Sequence, residues 1–219
     1  MLRYKITVLF ILLISICTFN FVEAGTNELP LLGKVIYLDP GHGGLDPGAM
    51  YKNIKEKNIT LQISKNLEKR LTKLGAIVYL TRYDDYDLSV NNTINRKRSD
   101  LSRRSNIINK SDCDLFLSIH LNAENTGIWK GAQTFYNTNN KENKKIAELL
   151  QQQFKEDLNS KRKAKNKNDL YLQKRINRPG VLIEVGFLSN ASERYLLKQE
   201  KYQDKVTLSI ANALLKYLK

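Results

Sequence analysis

Cysteine and histidine are both scarce in this chain of 219 residues, which holds two of each. Cys17 falls in an apolar N-terminal run, so Cys113 stands alone in the remainder. An internal disulfide and a cysteine-based zinc site are thereby excluded, and stability must come from burial. Cys113 reads as a small core residue beside a strand. Cys17 is a poor lipid-attachment site, because Ile16 precedes it where a small residue belongs. Internal repeats, low-complexity tracts and a second domain are missing. The longest apolar stretch, Ile6 to Val22, is broken by Thr7, Ser15, Thr18 and Asn20, which makes it marginal for a spanning helix. Arg3 and Lys5 precede it and Val22-Glu23-Ala24 follows, so residues 1–24 have the layout of a secretory signal cut after Ala24. An uncleaved membrane anchor is the alternative.

Acidic residues are outnumbered, and the chain carries a net charge of +14. Removing Arg3, Lys5 and Glu23 lowers that by one, to +13. Inside a cell such a charge points to nucleic acid. Outside the membrane, the anionic partners are cell-wall polymers and peptide carboxylates. The densest run, Lys161-Arg162-Lys163-Ala164-Lys165-Asn166-Lys167, has no interleaved aromatic on which bases would stack. It reads as a solvated loop that helps hold the protein near an anionic surface.

Strand-like and helix-like segments alternate from residue 34 onward. They predict a single α/β domain over 34–218, with a twisted, mixed but mostly parallel sheet flanked by helices. Strands are expected at 34–38, 76–80, 115–119, 132–136 and 181–185, with a short extended piece at Leu170-Tyr171-Leu172. A helix opens at Glu56 and keeps Ile59, Ile63, Leu67, Leu71 and Leu74 at helical spacing, with Gly75 as its stop. Others are expected at about 94–109, 143–158 and 202–218.

Both histidines close apolar runs: Val35-Ile36-Tyr37-Leu38-Asp39-Pro40-Gly41-His42, and Asp114-Leu115-Phe116-Leu117-Ser118-Ile119-His120. Ligands of open α/β sheets bind beyond the carboxyl ends of strands. Two imidazoles there form half of a zinc site. Glu56 follows the first glycine-rich loop at a helix start, where it serves either as a ligand or as an ordinary first-turn acid. Glu184 lies inside Val181-Leu182-Ile183-Glu184-Val185-Gly186-Phe187. A carboxylate in so apolar a strand costs several kcal/mol unless it is paired or works on a metal. Its setting also pushes a carboxyl pKa toward neutrality.

Taken together, Leu38-Asp39-Pro40-Gly41-His42-Gly43-Gly44, Glu56, Ser118-Ile119-His120-Leu121-Asn122 and Leu182-Ile183-Glu184-Val185-Gly186-Phe187-Leu188-Ser189-Asn190 resemble the zinc-dependent N-acetylmuramoyl-L-alanine amidases of bacterial cell walls. The resemblance implies zinc ligands at His42, Glu56 and His120, a catalytic glutamate at Glu184, and peptidoglycan as substrate. The bond implied is the amide between the lactyl group of muramic acid and the first L-alanine of the stem peptide. Arg104 to Asn109 matches the family's arginine-bearing helix before the second histidine, with Arg104 ordering the surroundings of the site. Asp39 and Asp46 read as turn residues. Glycines 41, 43 and 44 let the backbone approach ion and substrate. Asn122 either bonds substrate or caps the following loop.

Within the family the chain is similar to the germination-specific amidases of spore-formers, which prepare muramic-δ-lactam in the spore cortex. That implies export, to the cell wall or the spore cortex and intermembrane space. A short form without its own targeting module suggests reliance on an accessory or activating protein. The alternatives are a cell-separation or autolytic amidase, a zinc peptidase cutting within the stem, a non-catalytic wall-binding relative, and, on charge alone, a nucleic-acid-binding protein.

Overall fold

The computed structural model describes residues 29–91 and 93–218. The expected export signal and Cys17 lie outside the described residues. A six-stranded sheet runs in the order β4-β1-β5-β8-β6-β7. Its members are β1 (Val35–Pro40), β4 (Ile77–Leu80), β5 (Leu115–Asn122), β6 (Gln133–Tyr136), β7 (Lys165–Asn166) and β8 (Gly180–Phe187). Neighbours among β4, β1, β5 and β8 pair in parallel, while β6 is antiparallel to β8 and carries β7 parallel to itself. A hairpin of β2 (Met50–Tyr51) and β3 (Ile54–Lys55) stands apart from it. The helices are α1 (Glu56–Lys73), α2 (Arg96–Lys110), α3 (Glu142–Leu158), α4 (Ala191–Leu197) and α5 (Glu200–Leu218).

Strand alternation sorts side chains between two unequal layers. Ile36, Leu38, Leu115, Leu117, Ile119, Val181, Ile183 and Val185 face the main core. There they meet Ile59, Ile63, Leu67 and Leu71 of α1, Ile146, Leu150 and Phe154 of α3, and Val206, Ile210 and Leu214 of α5. Each fully buried Leu or Ile in this layer contributes about 1.5–3 kcal/mol. The opposite face holds a smaller cluster, where Phe116 packs with Ile108, Cys113, Leu172 and Ile176. Among the described residues, α2 and the residues around a 3-10 turn at Gln173–Arg175 cover that face. Its β8-β6-β7 half is left to line a groove.

Three local expectations are corrected. Leu170-Tyr171-Leu172 is no strand but a turn leading into the 3-10 segment. Lys174 N–H donates to the Leu170 carbonyl, Arg175 N–H to that of Leu172, and the Arg175 guanidinium lies 3.6 Å from the Tyr171 ring centre. The basic 161–167 run is not all loop, since Lys165–Asn166 add to the sheet as its last strand. An edge position is where lysines are tolerated in a strand. Helix α4 was not expected, although Asn190 caps it by accepting from the Ser192 and Glu193 N–H groups.

Candidate metal centre

Three strands and one helix start bring the four expected side chains to the same end of the sheet. His42 lies two residues past β1, in a left-handed backbone conformation (φ 64°) that a residue with a Cβ adopts only when its surroundings compel it. Glu56 is the first residue of α1 and is buried. His120 sits within β5 directly beside Glu184 of β8, in register. Glu184 is therefore three residues inside its strand rather than at its end.

Glu56 joins the two histidines. Its Oε1 lies 3.0 Å from His120 Nδ1 and accepts from the Leu121 N–H. Its Oε2 lies 3.2 Å from His42 Nε2 and accepts from the Ala49 N–H. The imidazoles meet edge to face with centres 4.9 Å apart. One donor atom from each of His42, Glu56 and His120 falls within 4.8 Å of the others. Burial alone would favour the neutral acid at Glu56, but hydrogen bonds from His120 and His42 outweigh it and hold the carboxyl well below its usual range. Burial likewise opposes charge on His42, yet its hydrogen bonds to Asp46 and Glu56 push it up to about 9. The cluster thus attracts positive charge strongly.

The donor set fits a divalent cation. Two imidazole nitrogens and one carboxylate oxygen form a composition used by catalytic zinc sites. Asp46 Oδ2 lies 2.9 Å from His42 Nδ1, fixing the ring so that Nε2 faces the centre. Asp46 also accepts from the Gly48 N–H, the bond of the turn residue expected, and its contact with His42 comes in addition. Gly48 itself went unremarked in the sequence. Its φ is 67°, and a Cβ there would lie 2.6 Å from both Glu56 Oε2 and His42 Cδ2. Of the glycines singled out, Gly41 presses on the His120 ring, whereas Gly43 and Gly44 abut the loop at 82–87.

Glu184 stands apart from the three donors. Its Oε2 is enclosed and has no hydrogen-bond partner among the described residues. Burial pushes its carboxyl up to about 7 against the opposing pull of His120. An unpartnered carboxylate near neutrality can take up and release a proton.

Beneath the loop carrying His42 lies a buried ionic layer. Asp39 is not the turn residue expected; it belongs to β1 and accepts from Thr81 Oγ1 (2.6 Å), Ser118 Oγ (2.7 Å) and Arg104 Nη1 (2.9 Å). Arg104 also donates to the Pro40 and His42 carbonyls and to Asp100. Arg82, equally buried, donates to the carbonyls of Pro40, Gly41 and Lys57. Local sequence gives no sign of Arg82, because these carbonyls come from segments 25 or more residues away. Asn122 ends β5, where its carbonyl accepts from the Leu188 N–H.

Replacing Asp46 by Ala is expected to weaken metal binding about 10- to 100-fold while leaving the fold intact, because only the partner of one ligand is lost. Titration with zinc against a competing chelator checks this, and unchanged affinity would remove Asp46 from the site.

Two cavities flank Glu184, of about 230 Å³ on the α2 side and about 450 Å³ on the β6-β7 side, and they share Leu170, Leu182 and Glu184. Together they make a groove across the sheet with the His42–Glu56–His120 cluster beside it.

Residues 36–216 match the model of a family described as N-acetylmuramoyl-L-alanine amidase. The chain is 44% identical over 215 residues to the germination-specific N-acetylmuramoyl-L-alanine amidase of Bacillus subtilis strain 168, covering 95% of this chain and 91% of that protein. To the N-acetylmuramoyl-L-alanine amidase LytC of the same organism it is 32% identical over 195 residues, covering 87% of this chain and 37% of LytC. Among solved structures, the CwlD amidase from Clostridioides difficile, determined in complex with the GerS lipoprotein, superimposes with a TM-score of 0.81 at 40% identity. That match covers 84% of this chain and 98% of the other.

Proposed function

Because this chain belongs to the N-acetylmuramoyl-L-alanine amidase family and is a peptidoglycan amidase of the germination-specific type, we propose that it works through zinc held by His42, Glu56 and His120, with Glu184 as general base and acid. The observation that carries this reading is the convergence of three metal-type donor atoms within 4.8 Å, in a groove that also holds the unpartnered Glu184 oxygen. Bound there, zinc supplies a Lewis acid that polarises the scissile carbonyl and acidifies water near neutrality.

The protein's own groups account for the rest. Glu184 accepts a proton from the attacking water and delivers it to the departing amine of L-alanine, leaving a free lactyl carboxylate on the glycan. Asp46 keeps His42 in one ring orientation, and Arg104 and Arg82 hold the backbone that carries it. The groove beside Glu184 receives the glycan on one side of the scissile bond and the stem peptide on the other.

We further propose that the enzyme acts outside the membrane on spore cortex, preparing muramoyl residues for δ-lactam formation. Its relation to a germination-specific amidase supports this. Residues 1–24 would deliver it as a secretory signal or anchor, with 34–218 as the catalytic domain. An accessory protein is proposed as well, supported by the lipoprotein complex of the C. difficile amidase.

Chelation is expected to abolish hydrolysis, and added zinc to restore it. With purified cortex and vegetative peptidoglycan as substrates, mass analysis should find intact stem peptides and peptide-free muramoyl residues, with cortex the better substrate. Shortened stems would instead make the protein a peptidase, and chelator-resistant turnover would remove the metal.

A further inference from the structure

The basic run at 161–167 is drawn into the groove by structure that its composition did not reveal. Gln133 follows Glu184 across the sheet, in register on the antiparallel neighbour. Its Nε2 donates to the Lys163 carbonyl, while its Oε1 accepts from Arg162 Nε (3.0 Å) and Nη2 (2.8 Å). The Arg162 guanidinium carbon is also 5.3 Å from the ring centres of both Trp129 and Phe187. These contacts fix one edge of the guanidinium and leave its Nη1–Nη2 end without a carboxylate partner among the described residues. Arg162, Lys165 and Lys167 all line the 450 Å³ cavity that Glu184 closes, and none is in an ion pair among the described residues. Glu124 and Asp169 also line it, so its charge is mixed and bulk attraction cannot be the selective element. Placement singles out the one cation held rigid. On the α2 side the cations are already matched: Arg104 pairs with Asp39 and Asp100, and Lys97 lies 3.9 Å from Asp46.

We propose that the β6-β7 cavity is the stem-peptide subsite and that Arg162 receives the free α-carboxylate of the second stem residue. This rests on the amidase reading of the groove. A stem joined through the side-chain carboxyl of a D-glutamate carries its α-carboxylate one residue beyond L-alanine, within about 7 Å of the scissile bond at 3.3–3.6 Å per residue. The unsatisfied end of a pre-oriented guanidinium matches a carboxylate with two parallel hydrogen bonds. An amide at that position offers one acceptor and places N–H donors against a cation. Arg162 is therefore a specificity residue that discriminates acid from amide, and Lys165 and Lys167 add attraction without geometry.

Two muramoyl pentapeptides, identical except for D-glutamate or D-isoglutamine at the second position, test this on the zinc-loaded enzyme. The wild type is expected to show a KM about tenfold lower for the acid form, with similar kcat for both. Arg162→Gln should raise KM for the acid to that for the amide, and Arg162→Lys should restore only part of the preference. Equal KM values for the two substrates in the wild type would overturn the proposal, and that comparison needs no variant to fold. A preference that survives Arg162→Gln would overturn it too. If neither substrate releases its L-alanine amine, the amidase reading of the groove fails, and the subsite falls with it.

Discussion

Glu184→Gln is expected to lower kcat by about 10²- to 10⁴-fold, the usual contribution of a positioned proton-transfer group, with bound zinc unchanged. Glutamine fills the same space in β8 and can still accept hydrogen bonds, so packing beside Leu182 in the groove is undisturbed. What it cannot do is take a proton from water or return one to an amine. Metal content should persist because Glu184 is not one of the three donors that converge within 4.8 Å. Elemental analysis and single-turnover rates on muramoyl peptide check both halves. The wild-type pH profile provides a third measure. The carboxylate is the active form of a base, so kcat should fall as acid carries Glu184 through its pKa, about 7 in the metal-free protein and lower beside a bound dication. That acid limb should be missing from the residual activity of the variant. Turnover within a few-fold of wild type would dismiss the base role.

Arg104→Ala is expected to cost about 3–5 kcal/mol of folding stability, the penalty for removing one partner from a buried ion pair. Arg104 is 1% exposed, and its loss strands two buried carboxylates, Asp39 and Asp100, without their cation. It also frees the His42 carbonyl, 2.7 Å from Nη2, so the strained φ of His42 loses one of its restraints. The cost should depend on pH in a definite direction. Burial works to raise the Asp39 pKa, but Arg104 and the Thr81 and Ser118 hydroxyls prevail and hold it below the usual range. A depressed carboxyl contributes stability that is complete above its unfolded value, about 3.9, and lost as pH falls through the folded value. The gap between wild type and Arg104→Ala in denaturant midpoint should therefore be widest near neutrality and narrow below about pH 4. A constant gap would mean that the arginine acts by packing rather than by charge.

Much of the architecture was legible because it depends on short-range pattern. The 3.6-residue spacing of Ile59, Ile63, Leu67 and Leu71 marked α1, and the apolar runs at 115–119 and 181–185 marked two central strands. Glu184 was conspicuous because a carboxylate has no business in such a strand without a task. The scarcity of histidine drew attention to His42 and His120. Other features were read wrongly or only in part, for an equally physical reason. Asp39 precedes Pro-Gly and Asp46 precedes Pro47-Gly48, which is ordinary turn chemistry. Their partners, Arg104 and Thr81 for one and the His42 ring for the other, are visible only once the chain has folded. Arg82 carries no local signal at all, and the 161–167 run reads as a solvated loop until the sheet is assembled.

The sequence by itself determined the fold class and the alternation of elements, since backbone propensity and burial operate over neighbouring residues, and its resemblance to the amidase family singled out four chemically competent side chains. Tertiary structure alone decided that Glu184 lies beside His120 in register, and that Arg162 is turned into the groove by Gln133 from 29 residues away. Those outcomes depend on strand order and pairing, where the entropy of closing long loops is offset by contacts between segments distant along the chain, and local pattern carries no record of which distant segment will supply them.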